Sequence, residues 1–309
     1  MAVVTSTPDP VAPAPGVRPH PARRRVRLPG GGALLGVVPF FGYVGIFLAV
    51  PTLVVAVGAV TGDGGGFTLD NLARLADSYI LAAFGRSILL SAVTALLGAV
   101  FGALLGYALV TARPDGLLRR AVTAACGVLA QFGGVTLAFA FIATIGLSGF
   151  VTEFLTDRVG VDIYASGVWL FELPGLLLVY AYFQIPLMVI VFLPALDGIR
   201  AQWREAAASL GGSTWQYWRL VGMPLLAPPF LGATLLLFAN AFSAYATAAA
   251  LVSQGSPIVP LQIRGALTSE VVLGQQNLGK AMALGMIVVV ALVMWLYALV
   301  QKRSAKWLG

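Results

Sequence analysis

Chemistry in this chain would have to come from very few side chains. It holds one cysteine, Cys126, and one histidine, His20. Cys126 lies inside an apolar run, where a lone thiol cannot build a disulfide framework and packs as a small side chain. His20 lies in a proline-rich stretch without convergent ligands, so no metal centre is expected. No apolar run carries Asp, Glu, Lys or His at its centre, which makes a proton relay or an intramembrane hydrolase hard to assemble. The polar residues that do fall in apolar runs are Gln131, Thr136, Gln184, Asn240, Ser243 and Tyr245, with Tyr180 and Tyr182 nearby. In lipid such groups either bond a neighbouring helix or line a wet path, and the sequence leaves both roles open. Charged, aromatic and glycine residues are concentrated in one place, residues 204–224, REAAASLGGSTWQYWRLVGMP.

A near-match to a phosphate loop is set aside. GQQNLGKA at 274–281 spells G-x-x-x-x-G-K, but position 281 is Ala, so the hydroxyl that would hold Mg²⁺ is missing. The chain is therefore expected to bind no cofactor of its own.

The elements that must position these residues are apolar helices. Of 309 residues, 59% are hydrophobic and 10% charged, whereas a soluble domain carries about a quarter of its residues charged. Six apolar runs, 33–60, 83–112, 121–147, 173–196, 225–252 and 281–299, are each long enough to cross a bilayer, which takes about 20 residues. They are too long for barrel strands, so the expected fold is an all-α membrane protein with six transmembrane helices. Residues 1–30, with seven prolines and the cluster Arg23, Arg24, Arg25 and Arg27, cannot bury a core and are expected to be a disordered tail. The run after it is far longer than the apolar core of a signal peptide, about 7–15 residues, and reads as a first span.

Lys and Arg partition unevenly between the loops. Six spans put both termini on one side, together with Arg113, Arg119, Arg120, Arg200, Arg204 and Arg219. The other side receives Arg74, Arg86, Arg158, Arg264 and Lys280, with eight of the twelve acidic residues. This bias predicts a multi-pass protein of the cell membrane with cytoplasmic termini, and it explains the net charge of +7 without nucleic acid.

By this topology residues 204–224 face the cytoplasm. Ile199, Trp203, Ala206 and Leu210 share one face of a helix, and Gly211-Gly212 can end it through a left-handed corner. Ser213 followed by Gln216 matches a capping box, so a second helix is expected over 214–221, ending near Pro224. Read plainly, this is an amphipathic element on the headgroups, anchored by Trp203, Trp215 and Trp218. Three glycines at every fourth position, Gly98, Gly102 and Gly106, are read as close helix packing.

The stretch EAAASLG followed by GSTWQYWRLVGMPLLAP resembles the EAA signature of permease subunits in type I ATP-binding-cassette (ABC) importers. Glu205, Ala206, Ala207, Gly211 and Pro224 match that pattern. The resemblance implies the type I importer permease fold, with a permease domain over 82–300, a first helix and external loop over 31–81, and a short tail over 301–309. It implies that the two-helix loop is a coupling element docking on a cytoplasmic ABC ATPase dimer, which uses ATP and Mg²⁺. It also implies an external solute-binding protein. The spacing of Pro39 and Pro51 resembles the first span of one member of a permease pair, which suggests a heterodimer with a second permease. The translocation path is expected along Gln131, Gln184, Asn240, Ser243 and Tyr245.

In sugar and glycerol-phosphate permeases the EAA glycine usually follows Asp; here it follows Leu210. The resemblance therefore favours polyamine, phosphonate, iron or oxyanion solutes, with polyamines foremost and a sugar importer as the alternative. A stand-alone channel or membrane enzyme is the alternative of another class.

Overall fold

The computed structural model describes residues 31–62, 64–113, 116–252, 258–268 and 275–305. The expected tail, His20 and residues 306–309 of the final segment lie outside them. The chain divides into two compact units at Pro51. In the first, α1 (Gly31–Val44) runs through a π turn, Gly45–Ala49. A following helix, α2 (Val50–Ala59), leads into the second unit.

Among the described residues, that second unit consists of helices joined by loops, with an isolated antiparallel bridge between Thr61 and Phe67. A short α3 (Asp70–Ala73) precedes the long α4 (Ser78–Thr111). Next come α5 (Leu117–Gln131), α6 (Gly134–Ile145) and α7 (Phe150–Phe154), then α8 (Leu173–Asp197). The 204–224 region forms α9 (Ala201–Ser209) and α10 (Thr214–Tyr217). After it come α11 (Met223–Ser243), α12 (Ala246–Leu251), α13 (Val259–Thr268) and α14 (Gln276–Ala305). Among the described residues six helical runs are long and apolar enough to cross a membrane: Val37–Ala59, Ser78–Thr111, Gly134–Val159, Leu173–Asp197, Thr214–Ser243 and Gln276–Val300.

The span count agrees with the sequence, but two spans are drawn differently. The expected 121–147 run is broken: α5 stops at Gln131 and α6 starts at Gly134, whose φ of +71° a helix cannot contain. The expected 225–252 run is also broken, at Ala244 and Tyr245. Its start lies earlier, because α10 does not end near Pro224. A π turn, Trp218–Gly222, carries it into α11 without a break, and Pro224 follows directly on that turn, where it supplies no N–H for the Leu220 carbonyl.

Packing centres on α4 and α8. A Cβ at Gly98 would stand 2.7 Å from the Gln184 Cβ, and one at Gly102 would stand 2.5 Å from the Met188 Cβ. The glycines are what let the two backbones approach, as the spacing predicted. Along α8 the buried core falls into three clusters, one of them Val189 and Leu193 with Leu109 of α4 and Cys126 of α5. Leu176, Val179, Tyr180 and Phe183 pack with Leu137, Ala138, Ala248 and Leu251. Met188, Phe192 and Leu196 pack with Ala95, Ala99 and Leu237. Gln184 and Pro186 lie between these last two clusters, and Pro186 supplies no N–H for the Tyr182 carbonyl.

Candidate functional site

The glycine corner is built by backbone hydrogen bonding. Gly211 adopts φ +79°. Its N–H donates to the Ala208 carbonyl at 2.9 Å, and the Gly212 N–H donates to the Ala207 carbonyl at 2.8 Å. These two bonds make a Schellman closure, satisfying carbonyls that the end of α9 would leave open. Ser213 then caps α10: its Oγ accepts the Gln216 N–H at 3.3 Å, while Gln216 Oε1 accepts the Ser213 N–H at 2.7 Å. A Cβ at Gly211 would meet nothing within 4 Å, so its constraint is φ alone. At Gly212 a Cβ would stand 2.8 Å from the Ala207 oxygen, so its constraint is space.

The loop offers an outward apolar surface. Leu210 is 88% exposed, and Trp215 and Leu220 are exposed. Glu205 is also exposed, and it makes no hydrogen bond or ion pair among the described residues. The second helix is seated on α4 through Trp218, whose ring meets Tyr107 edge-on at 5.5 Å and lies over Gly222. Arg119, near the start of α5, donates through one Nη to both Asp197 carboxylate oxygens at 2.7 Å, tying α5 to the end of α8 just before α9. Neither Tyr107 nor this ion pair was singled out from sequence; both pair residues too distant in the chain for any local pattern to connect.

A second constellation forms where the helix breaks meet. Asn240, Ser243, Tyr245 and Thr247 line a cavity of about 270 Å³ together with Phe183 and the backbone of Gly133 and Gly134. The breaks before α6 and before α12 therefore both border it, side by side. Of the five path residues expected from sequence, Asn240, Ser243 and Tyr245 line this cavity. Gln184 stands one layer behind: fully buried, it donates to the Leu237 carbonyl at 2.7 Å and accepts from the Asn240 amide at 3.4 Å. Gln131 closes α5 and is exposed, outside the lining. Thr136 is exposed as well.

Two residues at the breaks went unrecognised in this role. Tyr180, buried, donates its hydroxyl to the Ala244 carbonyl at 2.6 Å. Thr247, 2% exposed, accepts the Gly134 N–H at 2.9 Å. Each serves a backbone group released by a break, which sequence cannot show until the breaks are located.

Residues 136–306 match the family of binding-protein-dependent transport system inner membrane components. The chain belongs to this family. As a binding-protein-dependent inner membrane component it is similar to the sulfate transport system permease protein CysT of Escherichia coli, 27% identical over 54% of this chain and 57% of that protein. It is similar to the thiamine transport system permease protein ThiP of Escherichia coli, at 27% over 57% of this chain and 32% of the other. The ferric transport system permease protein FbpB of Actinobacillus pleuropneumoniae is 27% identical over 67% of this chain and 29% of its own length. The chain thus spans between about a third and about three fifths of these relatives. The fold is shared with a bacterial alginate ABC transporter, in complex with an alginate pentasaccharide-bound periplasmic protein, at a TM-score of 0.71 and 16% identity, over 88% of this chain and 94% of that one. A chain of the inward-facing MetNI methionine ABC transporter gives 0.51 at 17% identity, covering 72% and 95%. At these identities the likeness is one of fold.

Proposed function

We propose that the chain is the translocation subunit of an ABC importer, and that the cavity at the helix breaks is part of its path. The observation carrying this reading is a cavity between helix ends where four polar side chains, Asn240, Ser243, Tyr245 and Thr247, come together in a largely apolar protein. Broken helices at membrane depth are tolerated where they border a water-filled space, and solute sites of transporters are commonly built at such discontinuities. Asn240, Ser243 and Tyr245 supply neutral hydrogen-bonding groups to a passing solute.

In this reading the α9–α10 corner is the coupling element on the cytoplasmic side, with Glu205, Ala206, Ala207, Gly211 and Pro224 as its signature. Two ATPase subunits close beneath it on ATP, a second permease subunit completes the path, and an external binding protein delivers the solute. Both termini are cytoplasmic. The capped, doubly hydrogen-bonded corner is stiff, and Trp218 against Tyr107 hands its movement to α4.

The solute is small. A polyamine, which the resemblance favoured, would be expected to find carboxylates, and none lines this cavity. Neutral donors and acceptors suit an oxyanion held by hydrogen bonds, and the sulfate system named among the relatives gives the first candidate.

The test is a mild-detergent pull-down of the tagged chain from its native membrane, with partners identified by mass. An ABC ATPase and a second permease in fixed ratio are expected; their absence overturns the reading. A co-purifying binding protein is then screened for thermal stabilisation by sulfate, molybdate, ferric iron, thiamine and spermidine. Uptake of the solute it selects should fall at least tenfold in Asn240→Leu.

A further inference from the structure

We infer that Thr247 is a positioning residue that fastens α6 to α12, so that the two broken helices move as a single clamp beside the cavity. The inference rests on the reading of that cavity as part of the path. Its geometry stands on three observations.

The first is the hydrogen bond itself. Gly134 opens α6, so its N–H has no carbonyl within that helix to receive it. Thr247 Oγ1, in the first turn of α12 and 113 residues away, accepts it at 2.9 Å, with Thr247 buried and Gly134 half-buried. Moving α6 off α12 would break this bond, a loss on the order of the net worth of one hydrogen bond.

The second is packing. Leu137 and Ala138 of α6 share one buried cluster with Ala248 and Leu251 of α12. A Cβ at Gly134 would stand only 3.6 Å from the Ala246 Cβ. The two helices are therefore in contact from their first turns onward.

The third is the softness of what precedes each helix. Phe132 and Gly133 leave the helical region before α6, at φ −82°, ψ 68° and φ −119°, ψ −165°. Before α12 stand Ala244, extended at φ −71°, ψ 109°, and Tyr245. Neither linker carries a helical ladder, so bending at these two points costs less than pulling α6 from α12. Tyr180 holds one linker through the Ala244 carbonyl, marking where the bend takes place. The breaks thus form a paired hinge, with Thr247 as its bolt.

The test is hydrogen–deuterium exchange of the full chain in lipid nanodiscs, comparing wild type, Thr247→Ser and Thr247→Val. Val keeps the shape and removes the acceptor. Thr247→Val should raise exchange roughly tenfold in peptides over 133–137 and over 245–249 together, the scale of one hydrogen bond, while α4 and α8 keep wild-type rates. Thr247→Ser should restore wild-type exchange in both segments. A rise in one segment alone, no rise, or a Ser variant behaving like Val overturns the proposal. If Thr247→Val does not insert, a Gly134→Cys/Ala246→Cys pair in a Cys126→Ser background gives the answer. The Cβ separation suits a disulfide, and the bond should form equally in membranes with and without ATP and vanadate. A yield that drops with ATP and vanadate, or no bond at all, overturns the clamp. Neither experiment reads uptake, so a failed clamp leaves the path reading standing, and a failed path leaves the clamp.

Discussion

The Gly212 N–H donates to the Ala207 carbonyl at 2.8 Å, so the last alanine of the Glu-Ala-Ala segment and the glycine corner are one hydrogen-bonded unit. Gly211→Ala strains a φ of +79°, worth about 1–2 kcal/mol for an L-residue in the left-handed region. Gly212→Ala instead drives a Cβ into the Ala207 oxygen. Both should loosen the corner and reduce the ATPase retained in a pull-down. Gly85→Ala in α4 is the control: nothing lies within 4 Å of its Cβ position, and the change should be neutral or stabilising.

Gln184 joins α8 to α11 at the seam between two core clusters. Gln184→Leu removes the donor to the Leu237 carbonyl and the acceptor of the Asn240 amide, and should lower stability by about 1–3 kcal/mol. The double change with Asn240→Leu should cost less than the sum of the two single changes, because two apolar side chains need no partner. Thermal unfolding of the four chains in detergent gives the cycle; strict additivity would mean that the 3.4 Å contact carries no energy.

What the sequence disclosed follows from which signals are local. Ser213 and Gln216 are three residues apart, and Gly211 and Gly212 adjacent, so the corner and its cap could be read directly. Gly98, Gly102 and Gly106 announce a close approach through their period alone. The first break carried the same adjacent-glycine signal, Gly133-Gly134, masked by the apolar residues on either side, whereas nothing local marks the turn at Ala244–Tyr245. Once the breaks are missed, so are Tyr180 and Thr247, whose partners lie 64 and 113 residues away. Gln131 was misjudged for the same reason: in an unbroken helix it would be a mid-span residue, whereas here it is a helix end.

The glycine row on α4 should give a graded response. A Cβ meets the Met188 Cβ at 2.5 Å and the Ile185 oxygen at 2.7 Å from Gly102, the Gln184 Cβ at 2.7 Å from Gly98, and only the terminal Leu196 Cδ1 at 3.1 Å from Gly106. A methyl can swing aside; a backbone oxygen cannot. Alanine should therefore cost most at Gly102, less at Gly98 and least at Gly106, within the roughly 1–3 kcal/mol of overpacked cores. Melting temperatures of the three variants check the order.

The Arg119–Asp197 pair should matter little for stability. Its carboxylate is 43% exposed, so solvent screens it, and an exposed pair contributes about 0.2–1 kcal/mol. Arg119→Gln should lower the melting temperature slightly at low salt, and the difference should vanish near 1 M salt, where the Debye length is about 3 Å. A salt-independent loss would mean that the Arg stem, packed between α5 and α8, is the stabilising part.

Glu205 separates stability from coupling. It is exposed on α9 and engages no partner among the described residues, so the fold does not use its charge. Glu205→Gln keeps the size and removes only that charge, and melting should shift by less than about 0.5 kcal/mol. If the carboxylate meets a basic group on the ATPase, the same change should weaken retention of the ATPase, and the wild-type complex should itself loosen as salt is raised. Gly211→Ala acts by a different route, through the corner, and its loss of retention should not depend on salt. Retention that falls in Glu205→Gln without a salt dependence in the wild type would instead point to a neutral hydrogen bond. Unchanged retention in both variants would remove residues 204–224 from coupling and leave them as a surface anchor.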